Sequence, residues 1–466
     1  MAPRATTDHP GTRTADLDLD DVRQVFGTGR TRPLRWRLDQ LAAIESMCDN
    51  EESAIARALA DDLGRPPVEA WLGDIASTKG EATYARKHLK KWMRRRRMPL
   101  PLAQLPGRGW VQYDPLGAVL VIGPWNYPFY LSMGPIVAAV AAGNCVVLKP
   151  SELAPATSAL LAELVPKYLD SSAIRVIEGD GSTTQSLIAQ GFDHILFTGG
   201  TEIGRKIMAA AAPTLTPVTL ELGGKSPVMV TADADLDVAA RRVAWVKLLN
   251  SGQTCIAPDY VLADHSVVEA FTAKVVDAMA EFRSQEAVRG QRIVNRRQYD
   301  RLCGLIESTS GAIVTGGGCD VSSLTIEPTV IRDPAPSDLV MSDEIFGPIL
   351  PILTVGSNDA AVEFINARPK PLALYIFTNS QRLGSELIDA IPSGGAVINH
   401  VAMHCLVPQL PFGGVGASGI GQYHGRWGFE TLSHRRAVLT KPAKPDLKLT
   451  YPPYTDGAIK IMRKLF

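Results

Sequence analysis

The sequence predicts an α/β fold built on two largely parallel sheets. Between residues 118 and 222, short apolar runs rich in β-branched residues alternate with stretches of helical periodicity. The same alternation starts again after Lys225. Repeated strand–helix–strand order is typical of parallel sheets with helices on both faces. The chain has 466 residues, which is enough for two or three domains, each with its own core.

The region before the first sheet is predicted to be mainly helical. Residues 1–17 are rich in Thr, Asp and Pro, and we expect them to be disordered. Apolar residues recur at helical spacing over residues 38–63, and Gly64 stops the pattern. A second helix is predicted over residues 71–93, followed by four arginines at positions 94–97. We interpret these arginines as the solvated end of that helix, where positive charge is favourable, and not as a nucleic-acid site.

The first sheet is predicted from five short apolar runs. They are Ala118–Ile122, Cys145–Lys149, residues 174–177, His194–Thr198 and residues 218–222. The helices between them should begin near Leu131, Pro155, Ser182 and Ile203. The second sheet is predicted to begin with Pro227–Val230, followed by a helix over residues 235–249. Ligands of such sheets bind beyond the carboxyl ends of the strands, so the turns that follow the strands are the places to look for function.

Composition and cysteine usage narrow the function further. Positive and negative side chains both number 48, which argues against a nucleic-acid partner. The six cysteines form no C-x-x-C pair, so we expect neither a zinc site nor a disulfide framework, and a reducing compartment. His400 and His404 are four residues apart but lack a third ligand, and we expect no metal. The N-terminus lacks the apolar core of a secretory signal and no apolar stretch is long enough to span a membrane, so we expect a cytoplasmic location.

Three residues are candidates for catalysis. Asn126 lies in the turn G-P-W-N-Y-P, where two prolines stiffen the chain and an amide could donate to an oxyanion. Glu221 ends a mostly apolar run, so desolvation should raise its pKa toward a value useful for a general base. Cys255 is flanked by small and polar residues, as an accessible thiolate nucleophile requires. Each has a structural alternative: a rigid turn, a surface glutamate and a buried cysteine.

Other turns could hold a nucleotide. Lys149 and Glu152 follow the second predicted strand in K-P-S-E, and could hold the hydroxyls of a ribose. The run G-G-T-E-I-G at residues 199–204 lies between a strand and a helix, where glycines let the backbone approach a phosphate. Its spacing differs from both G-x-G-x-x-G and the P-loop, so this signal alone is weak. The runs E-I-F-G-P at 344–348 and P-F-G-G-V-G at 411–416 could each be structural.

Taken in order, these motifs resemble the aldehyde dehydrogenase superfamily over residues 20–440. The matching runs are P-W-N-Y-P, K-P-S-E, F-T-G-G-T-E-I-G, E-L-G-G-K-S-P, G-Q-T-C, E-I-F-G-P and P-F-G-G-V-G. Finer features are similar to the class 3 or fatty aldehyde dehydrogenase branch. They are G-Q-T-C-I-A-P-D-Y at 252–260, K-P-L-A-L-Y at 370–375 and S-G-I-G-Q-Y-H-G at 418–425.

The resemblance implies an aldehyde dehydrogenase-like architecture. A Rossmann-type NAD(P)-binding domain would cover residues 18–224, including an oligomerisation hairpin at 105–117. A second α/β domain, the catalytic one, would follow over residues 225–400. The remainder would be a return to the cofactor domain with an oligomerisation strand at 401–441, and a tail at 442–466. The branch often forms homodimers. The tail ends in a basic amphipathic segment at 459–466, for which we favour packing against a second subunit over peripheral contact with a membrane.

The resemblance also assigns roles to the candidate residues. Cys255 would be the nucleophile and Glu221 the base, while Asn126 and the Cys255 backbone N–H would donate to the oxyanion. The implied cofactor-binding residues are Trp125, Lys149, Glu152, Gly199, Gly200, Thr201, Gly204, Leu222, Gly223, Glu344 and Phe346. Among them, Lys149 and Glu152 would hold the adenosine ribose, the glycines 199–204 would flank the pyrophosphate, Glu344 would hold the nicotinamide ribose, and Phe346 would pack beside the nicotinamide. Glu152 would repel a 2′-phosphate, which favours NAD, although the branch also accepts NADP.

The implied reaction is the oxidation of an aldehyde, aliphatic of medium or long chain or aromatic, to a carboxylic acid through a thiohemiacetal and a thioester on Cys255. Gly200 stands where Ser is usual, and His400 stands where the branch often has Asp, so substrate preference stays open. The presence of Glu221 disfavours transfer of the acyl group to coenzyme A. The main alternative is a cysteine-dependent esterase or thiol hydrolase that uses no cofactor, and a non-catalytic binding protein on the same fold is a further one.

Overall fold

The computed structural model describes residues 18–284, 291–446 and 450–465. The disorder expected for residues 1–17 lies outside this part of the chain. The helices before the first sheet are Leu19–Gly27, Leu34–Asn50, Glu52–Leu63, Pro67–Ala70, a π-helix at Trp71–Ile75, and Ala76–Trp92. The single helix predicted over residues 38–63 is two helices separated at Glu51. The second of these ends where predicted, at Gly64, whose φ of +67° is left-handed.

The first sheet has six strands, and the five runs singled out in the sequence supply five of them. Their order is Gly419–Ile420, Val218–Glu221, His194–Thr198, Ala118–Ile122, Cys145–Lys149 and Ile174–Val176. All neighbours are parallel except Gly419–Ile420, which returns from late in the chain and pairs antiparallel with Val218–Glu221. The connecting helices are Tyr130–Ala142, Pro155–Tyr168, Gly181–Ala189 and Thr201–Ala211, the last extended by a short 3₁₀ turn at Ala212–Thr214.

The second sheet has seven strands. Their order is Ala312–Thr315, Thr329–Arg332, Ile349–Val355, Tyr260–Asp264, Pro227–Val230, Ala373–Phe377 and Gly395–Ile398. Only the first pair is antiparallel. Its helices are Leu236–Leu248, Val268–Ser284, Arg296–Glu307, Leu339–Ser342, Asn358–Asn366 and Gln381–Ala390. A two-stranded hairpin, Cys319–Asp320 with Thr325–Ile326, and 3₁₀ turns at Leu249–Gly252 and Met403–Leu406 complete this region.

A separate three-stranded antiparallel sheet pairs two strands that precede the six-stranded sheet in the chain with one strand from late in the chain. Its strands are Arg96–Met98, Arg108–Pro115 and Ser433–Thr440. Residues 105–117, expected to form a hairpin, therefore contribute one strand, and the other arm of the hairpin is Arg96–Met98. The interpretation of the arginines at 94–97 as a helix end was wrong. The helix stops at Trp92. Arg96 and Arg97 belong to an edge strand through their backbone, and their side chains stay exposed.

The end of the described chain lies on the surface. The short helix Gly425–Thr431 precedes the strand Ser433–Thr440, and a 3₁₀ turn spans Leu102–Gln104. The tail forms the helix Asp456–Leu465, which has no buried residue. Among the described residues, no helix is both long and apolar enough to cross a membrane.

Candidate active site

Asn126 follows the strand Ala118–Ile122 and is fixed at both its side chain and its backbone. It is 4% exposed, and its Nδ2 donates to the carbonyl of Gln253 over 3.1 Å. Its own carbonyl accepts hydrogen bonds from the Arg65 guanidinium and from Asn250 Nδ2, the latter over 2.9 Å. A side-chain amide carries two N–H donors. One is used on Gln253, which leaves the other available to a ligand.

A buried ion pair that the sequence analysis missed holds the Asn126 turn. Arg65 and Asp74 are 1% and 0% exposed and form a salt bridge. Asp74 Oδ1 also accepts from the backbone N–H groups of Phe129 and Tyr130, over 3.1 and 2.9 Å. The Arg65 guanidinium lies over the Tyr127 ring, 4.4 Å from its centroid. Burial raises the pKa of Asp74, and the charge of Arg65 opposes that shift. In the sequence, the only sign of this pair is that charged residues stand among the apolar residues of a helical stretch.

The loop before Cys255 has an unusual backbone. Asn250 and Ser251 have φ values of +51°, and Gly252 has +71°. For residues other than glycine such a conformation costs about 1–3 kcal/mol each and persists only where neighbours enforce it. Here the enforcing bonds are Asn250 N–H to Glu69 Oε2 over 3.0 Å and Ser251 N–H to Gln291 Oε1 over 2.8 Å. The strained loop is therefore held from two other parts of the chain.

The Gln253 side chain fixes the conformation of this loop. It is fully buried, and its Nε2 donates to the carbonyls of Asn250 and Arg292 over 3.0 and 3.1 Å. Its Oε1 accepts from the Val294 N–H over 3.0 Å. Its backbone carbonyl accepts a hydrogen bond from Asn126. Both polar groups of its side chain are bonded to the surrounding backbone, so the side chain serves to position the loop. This explains the Gln of the G-Q-T-C run.

Cys255 is half-buried at the end of this loop. Burial raises the pKa of its thiol, and the nearby charges of Glu344, Cys405 and Glu221 raise it further. The thiol is therefore protonated at rest, and forming the nucleophilic thiolate requires a base or a change in the local charge. The structure places Glu221 close enough to Cys255 to raise the pKa of its thiol. It adds Cys405 to the same surroundings, which the sequence analysis did not single out.

Glu221 ends the strand Val218–Glu221 and is 3% exposed. Among the described residues, neither of its carboxylate oxygens has a hydrogen-bond partner. Burial raises its pKa well above the ordinary value for glutamate. An unpartnered buried carboxyl is costly and is found mainly where chemistry requires it. The prediction of a desolvated carboxyl at this strand end is confirmed.

At two glycines of the predicted cofactor surface, a side chain would force a neighbouring side chain to move. A Cβ on Gly204 would lie 2.6 Å from Leu222 Cδ2, and a Cβ on Gly223 would lie 1.9 Å from Glu344 Oε2. Gly200, in contrast, has no atom within 4 Å of its Cβ position and faces open space at the start of the helix Thr201–Ala211. The backbone N–H groups at this helix start are available to a phosphate.

Lys149 and Glu152, the residues predicted to hold a ribose, lie together at the end of a strand. Lys149 ends the strand Cys145–Lys149, is 3% exposed, and pairs with Glu152. The Glu152 side chain is 46% exposed, so its carboxylate can reach a ligand. Trp125 and Phe346 meet edge to face with ring centroids 5.3 Å apart. The Thr201 hydroxyl donates to the carbonyl of Ala417 over 3.2 Å, so Thr201 holds the glycine-rich loop near Gly419–Ile420.

Glu344 is held by a network that the sequence analysis missed. Burial and the charge of Asp259 raise the pKa of Glu344 to about 8. Arg301 donates to the Ile345 carbonyl over 2.6 Å, and Asp259 Oδ2 accepts from the Ile345 N–H over 2.9 Å. Lys225 in turn pairs with Asp259. Glu344 is thus protonated at neutral pH and can donate a hydrogen bond to a hydroxyl.

Histidines line a further wall, formed by residues 403–425. Burial lowers the pKa of His404 to about 4, so its ring is neutral. The His424 ring stacks on Phe412, with centroids 5.2 Å apart, and its Nδ1 lies 3.1 Å from Glu81 Oε1. Among the described residues, His400 forms its hydrogen bonds with the backbone of Val401. In the described part of the chain, no group of three or more His, Cys, Asp or Glu side chains is arranged to hold a metal ion.

The residues present fit a dinucleotide. The sheet ends offer an exposed carboxylate beside a buried lysine, open backbone donors at a helix start, and a protonated carboxyl packed against a glycine. These are the groups that bind ribose hydroxyls and a pyrophosphate at the carboxyl ends of parallel strands. The candidates Asn126 and Glu221 lie at ends of strands of the six-stranded sheet, whereas Cys255 lies in the loop between the helix Leu236–Leu248 and the strand Tyr260–Asp264.

Comparison with known proteins agrees with this geometry. The model of the aldehyde dehydrogenase family matches residues 5–438. The chain is 43% identical over 465 residues to aldehyde dehydrogenase family 3 member H1 of Arabidopsis thaliana, covering 98% of this chain and 95% of that protein. It is 44% identical over 437 residues to the dimeric NADP-preferring aldehyde dehydrogenase of Rattus norvegicus, covering 93% and 96%.

A solved structure is equally similar in fold. The substrate-bound state of Staphylococcus aureus AldH superposes with a TM-score of 0.93 at 39% identity, covering 96% of this chain and 98% of that one. The resemblance to the class 3 branch is confirmed by the relatives named as family 3 members. The chain therefore belongs to the aldehyde dehydrogenase family, and its activity is the NAD(P)-dependent oxidation of an aldehyde.

Proposed function

We propose that Cys255 is the nucleophile of this reaction, Asn126 the oxyanion donor and Glu221 the general base. The observation that carries the proposal is the hydrogen bond from Asn126 Nδ2 to the carbonyl of Gln253, two residues before Cys255. It ties a spare amide donor to the loop that presents the thiol. The buried, unpartnered carboxyl of Glu221 adds a proton acceptor whose charge influences the same thiol.

The first step is attack of the Cys255 thiolate on the aldehyde carbonyl. Charge then develops on the carbonyl oxygen, and the second N–H of Asn126 together with the Cys255 backbone N–H donates to it. Removing one donor of this kind typically costs about 3–4 kcal/mol of transition-state stabilisation. The product of this step is a thiohemiacetal on Sγ.

NAD(P), when bound, supplies the acceptor for the hydride that leaves the former aldehyde carbon. The acyl group then remains on Cys255 Sγ as a thioester. Glu221, in its ionised form, takes a proton from water, and the water oxygen attacks the thioester carbonyl. The carboxylic acid leaves and the thiol is restored. Burial of Glu221 makes it a stronger base than an exposed glutamate, because desolvation disfavours its charged form.

The cofactor is proposed to lie along the sheet ends. Lys149 and Glu152 would hold the adenosine ribose, the backbone at 199–204 would flank the pyrophosphate, and Glu344 would donate to the nicotinamide ribose. Phe346 and Trp125 would pack beside the ring, and Leu222 and Gly223 would shape the surface between them. The exposed carboxylate of Glu152 supports a preference for NAD, since it would repel a 2′-phosphate. NADP is accepted as the weaker cofactor.

The substrate is proposed to be an aliphatic aldehyde of medium or long chain or an aromatic aldehyde. The neutral His404 and the stacked Phe412 and His424 rings support this, since they offer an aromatic wall near Cys405. His400 contributes no carboxylate where the branch often has Asp, which favours substrates without positive charge. The domain roles proposed are cofactor binding for residues 18–224 with the return at 401–441, and catalysis for 225–400.

The protein is proposed to act as a homodimer. The rat relative is named dimeric, and the three-stranded sheet offers an edge strand, Arg96–Met98, with unpaired backbone groups. The exposed amphipathic helix Asp456–Leu465 is proposed to pack against the second subunit and not on a membrane. The cytoplasmic location inferred from the sequence stays a prediction.

A cysteine-dependent esterase without a cofactor is not favoured. It would use Cys255 and Glu221 in the same way, but it would leave the close contact between Gly223 and Glu344 and the Lys149–Glu152 pair without a role. Ester cleavage is instead expected as a side activity of the same nucleophile.

The test is the appearance of NADH or NADPH with a panel of aldehydes, comparing wild type with Cys255→Ser. Cys319→Ser is the matched control, because Cys319 is exposed and outside the site. We expect reduction of the cofactor by wild type and the control, and its loss in Cys255→Ser. The proposal is overturned if Cys255→Ser keeps wild-type activity. The reaction class would be overturned if no aldehyde supports reduction of either cofactor while Cys255-dependent ester cleavage continues.

A further inference from the structure

Two cysteines outside the proposed active site lie where a hairpin packs against a helix. Cys303 lies in the helix Arg296–Glu307 and is buried, whereas Cys319 lies in the hairpin Cys319–Asp320 with Thr325–Ile326 and is exposed. Cys303 is close enough to Cys319 and to the Tyr299 hydroxyl to raise the pKa of both groups. All six cysteines of the chain lie in its described part, and Cys319 is the exposed one among them.

The backbone fixes this contact from both sides. Tyr299 and Cys303 are four residues apart, so they lie on one face of their helix. In the hairpin, Cys319 is opposite Ile326, and Ile326 packs into the same apolar cluster as Tyr299 and Cys303. The Ile293 N–H also donates to the carbonyl of Leu324 over 2.9 Å, which ties the hairpin to the segment before the helix. The hairpin is therefore docked on the helix with its exposed thiol over the buried one.

We propose that Cys303 and Cys319 form a reversible disulfide by exchange with a small-molecule disulfide such as oxidised glutathione. The Cys319 thiolate attacks one sulfur of that molecule, forms a mixed disulfide and releases one thiolate. The Cys303 thiolate then attacks the Cys319 sulfur, forms the internal S–S bond and releases the second thiolate. The two protein protons pass through solvent to the two released thiolates. Two protein thiols are oxidised, and one small disulfide is reduced to two thiols.

The order of attack follows from access. Cys319 is exposed and meets the reagent first, while Cys303 is shielded by its helix and reacts only with the sulfur beside it. Closing the bond requires the two sulfurs to approach to about 2 Å, and the docking of the hairpin on the helix favours that approach. Cys48 and Cys145 are fully buried, and both lie outside this helix and hairpin.

The exchange is expected to be faster at alkaline pH. Burial, contact with Cys303 and the charge of Glu307 raise the pKa of Cys319 to about 12, and the Tyr299 hydroxyl opposes the shift. Burial and Cys303 raise the pKa of Tyr299 to about 12 as well, with Asp320 adding to it. Because the thiolate is the attacking form, its fraction grows about tenfold for each pH unit below that pKa.

The disulfide would lie directly behind the cofactor-binding loop. Arg301, two residues before Cys303, holds the carbonyl of Ile345. The Leu302 side chain fills the space beside Gly347, where an added Cβ would approach it to 2.5 Å. The helix that carries these contacts would be joined covalently to the hairpin in the oxidised protein and only packed against it in the reduced one. Oxidation is therefore expected to raise the melting temperature.

The experiment uses the full chain, treated with oxidised glutathione at neutral and alkaline pH and then alkylated, with peptides mapped by mass spectrometry. For wild type and for Cys255→Ser we expect a linked pair of peptides containing Cys303 and Cys319, formed faster at the higher pH and reversed by dithiothreitol. Cys303→Ser should instead retain glutathione on Cys319, and Cys319→Ser should show neither product.

The opposite results are equally distinct. Stable glutathione on Cys319 of the wild-type protein without the internal link would overturn the proposal, as would a Cys319 that stays fully alkylated after treatment. Failure of Cys303→Ser to fold would not affect the test, because Cys319→Ser changes an exposed position and the wild-type peptide map stands alone. Neither readout depends on cofactor or aldehyde, so both are independent of the proposed catalytic roles.

Discussion

The side-chain amide of Asn126 donates a hydrogen bond to the backbone carbonyl of Gln253, and this contact joins the two loops that build the site. One loop follows a strand of the six-stranded sheet, and the other follows the helix Leu236–Leu248 and ends at Cys255. Because the second N–H of Asn126 stays available, the contact that positions the side chain leaves a donor for the proposed oxyanion role. The first prediction tests this division between positioning and catalysis.

Replacement of Asn126 by Ala should lower kcat/KM by about 100- to 1,000-fold, the usual effect of removing one oxyanion donor. Tyr127→Phe is the matched control, because it removes the neighbouring hydrogen bond between the Tyr127 hydroxyl and Thr254 Oγ1 without touching the donor. Steady-state kinetics measure both variants. Equal losses in the two would show that the turn needs only its shape, and would contradict the donor role.

Glu221→Gln keeps the shape of the side chain and removes the base. We expect hydrolysis of the thioester to become slow, so that a single burst of NADH is followed by a steady rate at least 100-fold below that of wild type. In wild type the steady rate should rise with pH, because the ionised form is the base and burial raises its pKa. Rapid-mixing kinetics across pH check this. A wild-type steady rate in Glu221→Gln would assign the base elsewhere.

The same substitution, which should lower activity, should raise the stability of the folded protein at high pH. The unfolded chain releases the Glu221 proton near pH 4.3, whereas burial makes the folded chain keep it to a higher pH. The unfolded state is thus favoured as the pH rises through this interval, and wild type loses stability there. Glu221→Gln should therefore melt at a higher temperature than wild type at pH 8, with the difference fading near pH 4. A difference that does not depend on pH would contradict the assigned pKa shift.

The sequence predicted the first sheet well because its strands are buried on both faces. Runs such as Ala118–Ile122 and Cys145–Lys149 are continuously apolar, and flanking turns mark their ends. Predicted ends differed by one residue where the last side chain also suits a turn, as at Val176 and Glu221. The three catalytic candidates were found because each is an unusual residue type in a turn or at a strand end.

What the sequence could not predict depends on pairing between distant segments. The arginines at 96 and 97 look like a helix end until the strand Arg108–Pro115 is available to pair with them. Likewise, the ion pair of Arg65 with Asp74 supports a turn more than fifty residues later. The residues around Arg65 and Asp74 in the sequence form no pattern that identifies them as a pair. Long-range contacts of this kind are set by the tertiary fold and leave no periodic signal.

Breaking that buried ion pair should destabilise the protein strongly. Arg65→Met leaves the Asp74 carboxylate buried without its counter-charge, and we expect a loss of about 3–5 kcal/mol in the free energy of unfolding. The exposed pair of Arg35 with Asp39 provides the control, since Arg35→Met should cost less than about 0.5 kcal/mol. Urea titration measures both. If Arg65→Met lowers the free energy of unfolding as little as Arg35→Met does, Asp74 must be neutral in the folded chain. Its two backbone hydrogen bonds would then be what holds the Asn126 turn.

Gly223→Ala should weaken cofactor binding far more than Gly200→Ala. The added methyl group on Gly223 would lie 1.9 Å from Glu344 Oε2, so the carboxyl that is proposed to bind the nicotinamide ribose must move. Gly200 has no atom within 4 Å of its Cβ position, and its N-cap φ of −73° suits alanine. Quenching of intrinsic fluorescence by NAD measures the dissociation constant for each variant. We expect at least a tenfold increase for Gly223→Ala, equivalent to about 1.4 kcal/mol, and less than twofold for Gly200→Ala. Because neither substitution touches Cys255, Cys255-dependent ester cleavage should continue in both, and its loss in Gly223→Ala would mean that displacement of Glu344 disturbs the nucleophile as well as the cofactor surface.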